Sequence, residues 1–106
     1  MKDDVIFFET EGTLTARLCC DIDHHTAKPM REKIDDALFE KRPRTLIIDF
    51  TEVVFMDSSG LGLILGRAEK ASALDCSVRL YGLSPVLMKL VRLCGIDRVR
   101  NLSFTK

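Results

Sequence analysis

The residues whose types and spacing could carry chemistry are Asp57-Ser58-Ser59-Gly60-Leu61-Gly62. They follow Thr45–Phe50, an apolar run that reads as a strand, and they open a segment with helical spacing. In open α/β sheets, functional sites gather beyond the carboxyl ends of the strands. A serine at such a shoulder is held out on the surface. Phosphate on it would bring about −1.5 to −2 charges to the backbone N–H groups of a helix start. Asp57 beside it would repel that charge. The pattern suits an acceptor that changes charge without unfolding the chain. A plainer account makes Asp57 or Ser58 an N-cap and Gly60 a relief of crowding. Gly62 and Gly66 fall one turn apart, and a glycine inside a helix costs about 1 kcal/mol against alanine. Close packing on the sheet or close approach by a partner would each compensate.

Several enzyme patterns fail. Gly60-x-Gly62-x-x-x-Gly66 departs from GxGxxG, and its glycines lie inside the helix rather than before it. No GxxxxGK[ST] phosphate loop occurs. A nucleophile elbow needs glycine two residues before its serine, where Met56 and Asp57 stand. His24-His25 with Cys20, Asp21 and Asp23 could be drawn as a metal cluster, but adjacent ligands on a strand–helix corner diverge. No metal or cofactor is expected, and Asp23 with the histidines reads as a polar corner.

These residues need elements to position them. Val5–Phe8 reads as a strand, Glu11-Gly12 as a turn and Thr13–Cys20 as a second strand. Its alternation puts Leu14, Ala16, Leu18 and Cys20 on one face. Ala27, Met30, Ile34, Ala37 and Leu38 mark a helix, with Thr26 as its expected N-cap and Pro29 in its first turn. The run Thr45–Phe50 predicts a central strand covered on both sides. The loop Thr51–Met56 is unusually apolar for a loop, and the next helix carries Leu61, Ile64, Leu65 and Ala68 on one face. Ser77–Tyr81 is a strand, Ser84-Pro85 a helix start, Gly95 its stop and Val99–Leu102 a last short strand. Strand–helix alternation after an opening hairpin predicts an α/β fold with one mixed sheet.

With 106 residues, one domain over 1–106 is expected. Sixteen acids balance sixteen Lys and Arg, so no global field favours nucleic acid or an anionic membrane. The balance hides a split. Residues 1–56 hold twelve acids and eight bases, and residues 57–106 four acids and eight bases. Such patches steer a protein partner. Cys19, Cys20, Cys76 and Cys94 form no CxxC pair, so thiols in a reducing cytoplasm are expected. The acidic start MKDDVIFF lacks a signal-peptide pattern, and no apolar run has the length of a membrane span.

The string Phe55-Met56-Asp57-Ser58-Ser59-Gly60-Leu61-Gly62 resembles the phosphorylation loop of bacterial anti-sigma factor antagonists, the STAS domains. Asp23-His24-His25-Thr26-Ala27 independently resembles the D-H-H-T-A run of the family's sporulation members. The likeness continues through Ile64-Leu65-Gly66-Arg67 and Leu83-Ser84-Pro85 and spans essentially the whole chain. It implies a mixed sheet of four to five strands with three to four helices. It also implies a regulatory binding module, not an enzyme. In the family, the unmodified protein binds an anti-sigma factor that is also a serine kinase, and so releases the sigma factor. Phosphorylation of the first serine of D-S-S-G ends that interaction and a serine phosphatase restores it. The resemblance thus implies Ser58 as phosphoryl acceptor, with Asp23, Asp57, Ser59, Gly60 and Leu61 on the partner surface. A STAS module of another stress circuit is the alternative, and a small nucleotide-binding α/β protein a more distant one. One departure stands out: the family carries Gly-Glu-Leu where this chain has Cys20-Asp21-Ile22. Cysteine takes φ > 0 less cheaply than glycine, so this corner is expected to differ.

Overall fold

A computed structural model describes residues 3–105. The chain runs β1 (Val5–Thr10), β2 (Thr13–Leu18), α1 (His24–Lys41), β3 (Thr45–Asp49), α2 (Ser58–Ala73), β4 (Ser77–Tyr81), α3 (Pro85–Leu93), a short 3₁₀ turn (Ile96–Arg98) and β5 (Leu102–Thr105). The strands form one sheet in the order β1-β2-β3-β4-β5. β1 and β2 are an antiparallel hairpin, and the later neighbours pair in parallel. Each parallel step needs a crossover, and the helical segments supply them. The mixed α/β sheet expected from the strand–helix alternation is present.

Alternation along the strands decides where the core lies. Leu14, Ala16 and Leu18 of β2, Leu46 and Ile48 of β3, and Val78 and Leu80 of β4 are buried. They join Met30, Ile34 and Leu38 of α1, Leu63, Ile64 and Ala68 of α2, and Leu87 and Val91 of α3 in one hydrophobic cluster. The opposite face stays open. There Ile47 pairs in register with Thr15 and Arg79, and β4 exposes Ser77, Arg79 and Tyr81. The expectation that β3 is covered on both sides is therefore corrected: Leu46 and Ile48 are buried on the core face, whereas Thr45 and Ile47 on the other are only half-buried.

Other boundaries shift for identifiable reasons. β2 ends at Leu18; beyond it Cys20 packs half-buried against the core, while Cys19 is buried outside that cluster. Asp23, not Thr26, caps α1. Its carboxylate accepts the N–H groups of His25 at 2.8 Å and Thr26 at 2.9 Å, while Thr26 Oγ1 accepts the Asp23 N–H at 2.9 Å. This reciprocal box reaches two orphan donors where a threonine cap reaches one. The helix consequently starts earlier, and Pro29 lies in its second turn rather than its first. Ser84 caps α3 with Pro85 following, as expected, and Gly95 adopts φ +76° directly after the last cap residue, Cys94. The final strand is Leu102–Thr105, displaced because Ile96 and the 3₁₀ turn fill the core before it.

Candidate functional site

The chain leaves β3 at the carboxyl edge of the sheet and must turn back into α2. The turn is anchored by burying Phe50, Val53 and Met56. Asp49 fixes its beginning, accepting from Thr51 Oγ1 at 2.5 Å, the Thr51 N–H at 2.9 Å and Arg17 Nε at 3.2 Å. Burial pushes the Asp49 carboxyl up, but the Thr51 and Arg17 donors outweigh it and hold the group below the usual carboxylate range.

Asp57 caps α2, its carboxylate accepting the Ser59 N–H at 2.8 Å and its carbonyl the Gly60 N–H at 2.9 Å. Ser58 is the first helical residue and is exposed; Ser59 is half-buried behind it. Gly60 is buried, and a Cβ on it would lie 2.7 Å from Met56 Sδ and 2.9 Å from Met56 Cβ. Relief of crowding is thus a real duty of Gly60. Gly62 and Gly66 are the reverse: a Cβ at either would meet nothing within 4 Å, so packing on the sheet does not explain them.

The two motif segments meet in space. Ile22 forms an isolated parallel bridge with Met56: its N–H donates to the Phe55 carbonyl and its carbonyl accepts the Asp57 N–H, both at 3.1 Å. The corner carrying Asp23 therefore stands beside the shoulder carrying Ser58. Asp23 is exposed, and the Thr26 and His25 N–H groups hold its carboxyl below the ordinary value. Positive φ outside glycine occurs, among the described residues, at Glu11, Arg42 and Asp75, so Cys20 makes its corner without left-handed backbone.

Asp21 was not singled out as a site residue by spacing, yet its Oδ1 accepts the N–H groups of Val54 at 2.9 Å and Phe55 at 3.1 Å. Nothing in the local sequence marks a contact across thirty-three positions. Arg67 was also missed. It is 2 % exposed inside the α1–α2 junction, with Nε 2.7 Å from Asp35 Oδ1 in an ion pair whose alignment falls short of a hydrogen bond. Burial pulls its pKa down and Asp35 opposes that. The expected α2 face is corrected accordingly. Leu63, Ile64, Arg67, Ala68 and Ala71 point inward, whereas Leu65 is exposed and Leu61 half-buried. Among the described residues no group of three or more His, Cys, Asp or Glu is arranged to hold a metal ion.

Residues 6–105 match the model of the STAS domain. The chain belongs to the STAS domain family. A relative of this STAS domain is the anti-sigma F factor antagonist of Lysinibacillus sphaericus, 36% identical, with 88% of this chain and 91% of that protein covered. The anti-sigma factor antagonist SpoIIAA in its unphosphorylated form superposes with a TM-score of 0.80 at 30% identity, covering 96% of this chain and 88% of that one. The Bacillus cell fate determinant SpoIIAA in its phosphorylated form gives 0.73 at 31% identity, covering 96% and 91%.

Proposed function

We propose that this STAS domain is an anti-sigma factor antagonist that works by partner switching, with Ser58 as the switch. The unmodified protein binds an anti-sigma factor that is also a serine kinase, and the sigma factor is released. The kinase then transfers the γ-phosphoryl group of ATP to Ser58 Oγ. The new O–P bond replaces the one to ADP, and the hydroxyl proton passes to the kinase's base. A serine phosphatase resets the protein by hydrolysis. This chain supplies an acceptor and a surface, not a catalytic group. The likeness to an anti-sigma F factor antagonist favours a sporulation circuit in the bacterial cytoplasm, and no helix among the described residues is long and apolar enough to cross a membrane.

The observation that carries this reading is the exposure of Ser58 at the first position of α2, on a shoulder whose backbone is fixed from both sides. Asp23, Asp57, Ser59 and Leu61 share the proposed contact surface with it, and Gly60, buried against Met56, supports the shoulder from beneath rather than meeting the partner. A phosphoserine there would have to be desolvated against a partner surface shaped for a hydroxyl, and Asp57 already contributes negative charge. Leaving one buried interfacial charge unpaired costs about 2–5 kcal/mol, enough to separate the partners. Incubation with the cognate kinase and ATP, followed by site mapping with mass spectrometry, tests the assignment. Phosphate mainly on Ser58 supports it; phosphate mainly on Ser59 or elsewhere refutes it.

A further inference from the structure

We propose that Val54 and Phe55 are the apolar anchor by which the anti-sigma factor kinase grips this protein, held in position by Asp21; this rests on the reading of Ser58 above. In the loop before α2, Val53 and Met56 are buried, whereas Val54 is 81% and Phe55 57% exposed. Two consecutive large apolar side chains facing water would fold back onto the core if the loop were slack. It is not slack. The Asp21 carboxylate holds both their N–H groups, and Ile22 holds the Phe55 carbonyl and the Asp57 N–H. With the neighbours on either side pulled inward, Val54 and Phe55 can only point out. Such preorganisation removes much of the ordering entropy that binding otherwise loses.

The position of the pair identifies what covers it. Phe55 precedes Ser58 by three residues, so it lies within about 11 Å of it even for a fully extended chain. A protein interface takes about 800 Å² from each partner, so a kinase whose cleft receives the Ser58 hydroxyl also covers Val54 and Phe55. Exposed Glu52 and half-buried Asp57 flank the pair, so the complementary surface is an apolar pocket with a basic rim. Leu65, also exposed, lies two turns further along α2, whereas Leu93 is the last residue of α3 and has no such tie in the chain to the acceptor.

The test is titration of the purified cognate kinase, loaded with ADP, against the full chain and five variants, with phosphorylation kinetics in ATP. Phe55→Ser and Val54→Ser remove side chains that face water, so the thermal midpoint should stay near wild type. Phe55→Ser is expected to weaken binding about 30-fold, as loss of a central apolar anchor does. It should raise KM for phosphorylation and leave kcat unchanged. Asp21→Ala should weaken binding about tenfold by freeing the loop, while Asp21→Asn keeps an acceptor oxygen and should restore most of it. Leu93→Ser, measured alongside as the control surface, should bind as wild type. Wild-type affinity in Phe55→Ser and Val54→Ser, with Ser58 still phosphorylated, overturns the anchor and leaves the Ser58 reading standing. Wild-type affinity in Asp21→Ala removes Asp21 from the proposal. A wild-type chain that the kinase binds but never modifies at Ser58 overturns both.

Discussion

Ile22 and Met56 face each other in a single parallel bridge that lies outside the five-stranded sheet and joins the start of α1 to the start of α2. The bridge makes one rigid surface of two segments that lie far apart in the chain. Ser58 therefore stands on a fixed backbone, with the Asp23 corner and the loop before α2 held beside it.

A charged group at position 58 should act on binding and not on folding. Ser58→Asp is expected to lose about 2–5 kcal/mol of affinity for the ADP-loaded anti-sigma factor, a 30-fold or larger weakening, because a carboxylate must be desolvated beside Asp57. Ser58→Ala should bind within a few-fold of wild type and resist inactivation by ATP. Titration calorimetry of wild type, both variants and the phosphorylated protein decides it. Wild-type-like binding by both Ser58→Asp and phosphoserine protein would remove Ser58 as the switch.

The phosphorylated fold should stay native. At an exposed helix N-terminus the dipole favours an anion by about 0.3–1 kcal/mol, which offsets repulsion from the capping carboxylate of Asp57. The expected thermal midpoint of phosphorylated protein lies within a few degrees of the unmodified form. A drop of many degrees would mean that phosphate acts by unfolding α2.

The glycines of α2 should respond in opposite directions. Gly60→Ala forces a methyl group against Met56, itself 4% exposed, and overpacking of that kind costs about 1–3 kcal/mol. Gly62→Ala meets open space inside a helix and should stabilise by about 0.5–1 kcal/mol. Urea denaturation of the two variants compares them directly. Equal effects of one sign would contradict the packing described around Gly60.

Asp49 should give the fold an acid-sensitive contribution. Its folded pKa lies below the ordinary value, because the Thr51 and Arg17 donors overcome the opposing effect of burial. The ionised form is therefore the one the fold prefers. Its stabilisation is complete above the unfolded carboxylate pKa of about 4 and is lost as pH falls through the lower folded value. Asp49→Asn should destabilise at neutral pH by about 1–3 kcal/mol, since donors aimed at a charge lose it. Denaturation curves near neutrality and at about pH 3 should show the gap between wild type and variant narrowing in acid. An unchanged gap would mean that the carboxylate charge is not what Thr51 and Arg17 hold.

Much of the fold was legible in local sequence, and the departures share a cause. The strand Ser77–Tyr81 and the Ser84-Pro85 helix start were readable because alternation, capping and proline act within a few residues. Thr26 misled as a cap because both it and Asp23 suit the role, and the choice falls on the residue reaching two N–H groups. The buried face of α2 was misread because Leu65 satisfies helical spacing as well as Leu63 does. Which of them turns inward depends on where α1 lies and on Arg67 meeting Asp35.

The sequence by itself determined the order of elements, the strand-to-helix shoulder and the serine on it, because periodicity and turn chemistry are local. It also carried the two motifs whose joint presence resembles the STAS family. Only the tertiary structure decided that the motifs form one surface, that Gly60 is committed to Met56 while Gly62 and Gly66 face open space, and that Val54 and Phe55 point outward. Each of these depends on backbone groups distant in the chain being brought within hydrogen-bond or van der Waals reach. Asp21 shows the reason: its carboxylate has two donors to meet, and they come within 3.1 Å only after the sheet has placed β3 beside β2.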